Sequence, residues 1–277
     1  MKKFFVVIPI LICFILVGCS TKAEETSSTS NTLKEDLSSY FAGYDGCILL
    51  FDQNQNKTTV YNQEKAVKQI SPCSTFKIIN TLVGLETKVL NDENTTFKWD
   101  GTRYSNEAWN QDQTLSMSVS NSTFWYFQQV ASLIGSDRMK SYLDKINFGN
   151  KDVSGGITQF WEQSSLKISP SEWLEMLKKI YTYKLPILKT NIEVLKKVIK
   201  LSEANGTVLS GKTGSGLISG EFIPQGSDDK YIIGWFVGYV EKSGNVYYFV
   251  TNIEGTDATG IAAKEITLKI LKDKGIF

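Results

Sequence analysis

Two short apolar stretches separated by polar residues predict a β-hairpin near the start of the folded part. Gly46–Asp52 is almost wholly apolar, Gln53 to Asn56 supply turn residues, and the β-branched run Lys57–Asn62 follows. Toward the other end, Thr207–Lys212, Tyr231–Val240 and Val246–Asn252 have the same strand character, with Glu241 to Asn245 as a tight connection. The spacing between these ends is helical. Ile78–Glu86 is an apolar helical run, Ser136 is the expected cap of a helix over Asp137–Ile146, and Ser169-Pro170 opens one over Ser171–Tyr183. Ala262–Lys274 reads as a closing amphipathic helix. The expected fold class is therefore α+β: an antiparallel sheet made from both chain ends, flanked by helices and carrying a helical subdomain.

The first residues follow a different pattern. Lys2 and Lys3 precede an unbroken apolar run from Phe4 to Val17, shorter than the roughly 20 residues a membrane span requires. Residues 1–18 are expected to be a signal peptide. It ends Leu16-Val17-Gly18-Cys19, which resembles a bacterial lipobox, so Cys19 is the expected lipidation site. Ser20 to Thr32 is rich in Ser and Thr without apolar periodicity, the composition of a flexible tether. The expected organisation is a leader (1–18), a linker (19–32) and one catalytic domain (33–277). The protein would be exported and lipid-anchored to the outer face of the bacterial cell membrane.

Composition then removes whole classes of chemistry. Lys and Arg number 30 against 29 Asp and Glu, so no basic excess argues for nucleic acid. There is no histidine, which excludes Ser-His-Asp and Cys-His catalysis and every His-containing zinc site. A hydrolase of this composition must take its general base from a carboxylate or a lysine. Cys47 and Cys73 are expected to be separately buried thiols, since a domain of this size needs no staple. The arginines are confined to Arg103 and Arg138.

A serine–lysine pair meets that requirement. In Ser71-Pro72-Cys73-Ser74-Thr75-Phe76-Lys77, Ser74 falls at the start of the apolar helix and Lys77 lies one turn on, on the same face. A desolvated lysine of lowered pKa can activate the hydroxyl. The spacing alone is weak, because Ser164-Ser165-Leu166-Lys167 repeats it. Lys212-Thr213-Gly214-Ser215-Gly216 ends a predicted strand, where glycines permit close backbone approach; Lys242-Ser243-Gly244 is a near copy expected to be a turn. The conjunction of Ser-x-x-Lys on a buried helix with a later Lys-Thr-Gly on a strand is the signature of penicillin-recognising serine acyl transfer.

With Ser122 before Phe124-Trp125-Tyr126-Phe127-Gln128, then Phe148-Gly149-Asn150, Gly155-Gly156-Ile157 and Phe160-Trp161, these motifs stand in the order seen in class D β-lactamases and their sensor relatives. The chain resembles that family from about Gly46 to Phe277. The resemblance implies hydrolysis of a small β-lactam substrate through an acyl-enzyme on Ser74. The oxyanion would be held by the backbone N–H groups of Ser74 and Ser215, with Ser122 and Lys212 passing a proton to the departing nitrogen. It further implies that Lys77 is carbamylated by carbon dioxide or bicarbonate, with no other cofactor and no metal, and that Trp161 hydrogen-bonds the carbamate. Phe76, Phe124, Trp125, Phe160 and Trp161 are the candidate pocket aromatics. Relatives commonly hold the substrate carboxylate with a C-terminal arginine, where this chain reads Ile261-Ala262-Ala263-Lys264, so Thr213, Ser215 or Lys264 must serve. A sensor or D,D-transpeptidase that acylates without turnover is the alternative.

Overall fold

A computed structural model describes residues 1–3, 31–217 and 230–277. The apolar leader, Cys13, Cys19 and most of the polar tether lie outside the described residues. The described strands are β1 (Asn31–Lys34), β2 (Asp45–Asp52), β3 (Lys57–Tyr61), β4 (Thr96–Phe97), β5 (Gln113–Thr114), β6 (Lys200–Ala204), β7 (Thr207–Leu217), β8 (Tyr231–Lys242) and β9 (Asn245–Glu254). The described helices are α1 (Gln63–Ala66), α2 (Lys77–Glu86), α3 (Leu115–Ser120), α4 (Phe124–Ile134), α5 (Ser136–Ile146), α6 (Pro170–Tyr181), α7 (Lys189–Val198) and α8 (Gly260–Asp273).

Seven strands form one sheet in the order β1-β3-β2-β9-β8-β7-β6, while β4 and β5 pair separately. The sheet therefore joins both chain ends, as the strand pattern predicts. It departs from that prediction at one edge, because β1 runs parallel to β3 with Asn31 opposite Lys57. Asn31 and Thr32, placed in the expected linker 19–32, lie in β1. All four β1 residues are exposed, so no apolar alternation marks them; pairing with the unused edge of β3 is what orders them.

Side chains alternate across the sheet and build two cores. Ile48, Leu50, Phe236 and Phe249 face α8, packing on Ala263, Ile270 and Leu271. Leu49, Phe51, Trp235, Val237 and Tyr248 face the opposite way, toward Ile79 and Leu82 of α2 and Trp173 of α6. Nearly every α2 side chain is buried, the condition of a helix apolar on all sides. Its C-terminal Glu86 Oε1 accepts from Leu188 N at 2.8 Å and from Asn191 Nδ2 at 2.7 Å, fixing α7 against it.

Two helix starts show which local signals hold. At α6 the Ser169 side chain accepts from the Glu172 backbone N–H at 3.2 Å, and the Glu172 carboxylate accepts from Ser169 N at 2.7 Å, a complete capping box ahead of Pro170. At α5 the expected cap Ser136 is instead the first helical residue, and Gly135 at φ 81° is the cap. The glycine makes the sharp turn between α4 and α5, which Arg138 braces by donating from Nε to Ile134 O at 2.6 Å. The Lys242-Ser243-Gly244 motif is the β8–β9 hairpin turn, with Ser243 at φ 51° and Gly244 at φ 75°.

Because the α6 cap is fully formed and Ser169 is buried, Ser169→Ala is expected to lower the unfolding free energy by about 1 kcal/mol. Urea unfolding of the two proteins checks this, and equal midpoints would refute it.

Candidate active site

The nucleophile candidate lies on a short 3₁₀ turn, Cys73–Phe76, that runs directly into α2. The segment before it is clamped to residues 161–168. Ser71 Oγ donates to Trp161 O at 2.7 Å and accepts from Gln163 N at 2.7 Å, Cys73 N donates to Trp161 O at 3.0 Å, and Ile70 bridges Ile168. Trp235 Nε1 on the sheet donates to Ser71 O at 2.9 Å. This clamp holds Cys73 at φ 48°, an uncommon backbone state for a residue with a side chain.

From that turn Lys77 Nζ donates to Ser74 Oγ at 2.7 Å. Lys77 is only 1% exposed, with its ammonium nitrogen 5.8 Å from the Phe124 ring centre and 5.7 Å from that of Phe127. Burial lowers its pKa from the ordinary lysine value of 10.5 to about 8, against the attraction of Glu162 and Cys73. Ser122 follows α3 in the left-handed region at φ 55°, its turn held by Trp109 Nε1 donating to Asn121 O at 2.9 Å. Lys212 on β7 donates to Ser122 Oγ at 3.1 Å and to Thr213 O at 3.0 Å. Burial also takes Lys212 well below the usual lysine range, helped by the nearby charge of Lys77.

β7 reaches this cluster because Gly214 has no side chain. A Cβ there would stand 3.1 Å from Pro72 O and 3.1 Å from Thr75 N, so the strand packs against the nucleophile turn backbone to backbone. The strand continues to Leu217, so the Lys-Thr-Gly motif sits inside it and does not end it as expected.

Ser74, Ser122, Phe124, Thr213, Gly214 and Ser215 line one cleft of about 280 Å³. Lys77 and Lys212 are buried at its floor. Trp161 is fully buried behind it, stacked on Phe76 with centroids 5.6 Å apart and 6.2 Å from Phe124. Its Nε1 is buried without a well-formed hydrogen bond, close to the Glu162 carboxylate, whose ionised form it favours. Phe76 and Phe160 are core supports of that stack, and Trp125 turns away, its Nε1 donating to Trp109 O at 2.9 Å. Ser215 Oγ accepts from Gly260 N at 2.9 Å, at the start of α8. Thr213 and Ser215 both line the cleft. Lys264 lies outside the cleft lining, 6.0 Å from the Phe236 ring centre. The decoy Ser164–Lys167 lies in the connection before α6.

Sequence reasoning misses several wall residues: Asn106, Trp109, Leu217, Tyr231, Ile261 and, most consequential, Glu162. The apolar members carry no chemical motif. Glu162 is signalled only by an acid placed directly after the buried Phe160-Trp161 pair.

A profile of the family described as penicillin binding protein transpeptidase domain matches residues 46–272. "Probable beta-lactamase YbxI" of Bacillus subtilis is 37% identical over 278 residues, covering 100% of this chain and 99% of that protein. The solved structure titled class D beta-lactamase BAT-2 superposes with a TM-score of 0.81 at 40% identity, covering 88% of this chain and 97% of that one. The chain belongs to the class D serine β-lactamases. The family also shares its domain with receptors. Regulatory protein BlaR1 of Bacillus licheniformis is 40% identical over 251 residues, which are 90% of this class D chain but only 40% of BlaR1. The C-terminal domain of the B. licheniformis BlaR penicillin-receptor superposes with a TM-score of 0.82 at 39% identity, covering 90% of this chain and 98% of that one.

The buried Lys77 of this class D chain has a consequence for stability. Its folded pKa lies below the unfolded value, so the native state loses stability as pH falls from 10.5 toward about 8, and the cost is constant below that. Lys77→Met is therefore expected to raise stability at pH 7 by on the order of 1 kcal/mol while abolishing activity. Urea unfolding at pH 7 of both proteins checks it; a destabilised variant would show that the amine is not under desolvation strain.

Proposed function

We propose that this class D β-lactamase hydrolyses penicillin-type β-lactams through an acyl-enzyme on Ser74, with carbamylated Lys77 as general base. The observation that carries the reading is the 2.7 Å contact between Lys77 Nζ and Ser74 Oγ in a cleft where the amine is desolvated. The carbamate on Lys77 takes the Ser74 proton as Oγ attacks the lactam carbonyl. The backbone N–H groups of Ser74 and Ser215 are the proposed oxyanion donors. Ser122, with Lys212 hydrogen-bonded to it, passes a proton to the departing ring nitrogen. Thr213 and Ser215 receive the substrate carboxylate.

Deacylation needs a base that survives acylation. Carbon dioxide added to the neutral Lys77 amine would supply a carboxylate-type oxygen able to take a proton from the attacking water. What supports that reading is the pocket: an amine of depressed pKa and, behind the cleft, a buried indole N–H without a well-formed hydrogen bond. Trp161 Nε1 would donate to the carbamate.

The likeness to the BlaR receptor domain favours a second reading, in which Ser74 is acylated and the adduct persists. Intact-mass measurement after mixing with a penicillin separates the two. A hydrolase shows a transient adduct that disappears with substrate, a receptor a lasting one, and Ser74→Ala neither. Trp161→Ala is expected to raise the bicarbonate needed for full turnover and to let the Ser74 adduct accumulate. Turnover that ignores bicarbonate at every pH would refute the carbamate.

Membrane attachment is proposed to run through a lipid on Cys19. Cys19→Ala should move the protein from the membrane to the soluble fraction, and unchanged fractionation would refute the anchor.

A further inference from the structure

The cleft holds an acid that the mechanism above leaves without a role. Glu162 lines the same cavity as Ser74, and it is held there by the clamp that joins Gln163 N to Ser71 Oγ at 2.7 Å. Its Oε1 is buried without a well-formed hydrogen bond, and the neighbouring Trp161 indole N–H, likewise buried, lies close enough to the carboxylate to favour its ionised form. Two buried amines, Lys77 from α2 and Lys212 from β7, are the charges that favour its ionised form. Glu162 thus lines the cleft beside Ser74, to which Lys77 Nζ donates at 2.7 Å, and the charges of the acid and the amine bear on each other.

We infer that Glu162 is a positioning residue for Lys77, an internal counter-charge that sets how much carbon dioxide the lysine requires. The inference rests on the carbamate reading. In balanced form, the Lys77 ammonium, carbon dioxide and the Glu162 carboxylate give the Lys77 carbamate, the Glu162 carboxylic acid and one proton released to solvent. A C–N bond forms, one ammonium proton moves to Glu162, and no electron donor or acceptor is involved.

The electrostatics act in one direction. An ionised Glu162 stabilises the ammonium form of Lys77, which cannot react, and it repels the second anion that carbamylation creates. Burial raises the Glu162 pKa to about 7 although Lys77 and Lys212 pull it down, so protonation lies within reach at neutral pH. The other groups facing the pair do not replace this coupling. Cys73 on the turn is held neutral because burial pushes its thiol up, and Lys167 acts on that thiol. Lys264 of α8 acts on Lys212. Glu162 is therefore the acidic group opposite Lys77 whose removal changes the charge balance at the amine.

The test is carbon-13 NMR of the full chain titrated with labelled bicarbonate at pH 7.5, with penicillin turnover measured across the same series. Glu162→Gln removes the charge at constant shape, Glu162→Leu does so without a polar group should the amide disturb folding, and Glu162→Asp keeps the charge. One unit of coupling corresponds to a factor of ten, so both neutral variants should reach half-carbamylation at about tenfold less carbon dioxide, with Glu162→Asp close to wild type. Equal midpoints in all four proteins, or a higher requirement in the neutral variants, overturn the inference while leaving the carbamate intact. Absence of a carbamate signal in every protein at saturating bicarbonate overturns the carbamate itself and the coupling with it.

Discussion

Everything at the cleft depends on keeping one lysine amine out of water while holding it against a hydroxyl. Water would leave Lys77 fully protonated at neutral pH and useless as a base. The fold removes that water with α2, which is buried on nearly every side, and with the Phe124 and Phe127 rings. A helix of that kind must sit inside the molecule, and α4 and α7 pack against it. Keeping an amine there works against stability, and the sandwich of two apolar cores offsets that cost.

The chain contains no histidine, and the arrangement shows how acyl-transfer chemistry proceeds without one. Two lysines divide the tasks that an imidazole would combine. Lys77 faces the nucleophile, and Lys212 faces the serine proposed to protonate the leaving group. The charge on Lys77 depresses the proton affinity of Lys212, so proximity helps to keep Lys212 neutral.

Most of the sheet is legible in the sequence because its strands are β-branched and bounded by turn residues, as in Lys57–Tyr61 and the Ser243-Gly244 hairpin. The capping box at Ser169 and Glu172 is legible for the same local reason. Where the pattern fails, tertiary pairing decides. β1 is four exposed residues with no apolar signature, and only the vacant edge of β3 makes it a strand. The pairing of Ser74 with Lys77 and of Ser122 with Lys212 is what the motif spacings predict, and the fold brings the four together. Glu162 is not legible, since nothing in a string of letters shows that a surface-type residue is drawn under the cleft by the Ser71 clamp. Lys264 errs the other way: it replaces an arginine in register but does not reach the cleft.

The pairing of β2 with β9 joins residues near the beginning of the domain to its last strand, Asp45 opposite Glu254. A sheet closed in this way has high contact order, so its central seam cannot form until nearly the whole chain is available. During synthesis or passage through a membrane the early hairpin must wait with one apolar edge unmatched, exposed to wrong partners. Lys212 reaches Ser122 only once β7 joins that seam through β8, so the cleft assembles last. A chain interrupted anywhere before α8 would therefore be inert as well as aggregation-prone, and acylation competence is a direct report that folding has run to its end.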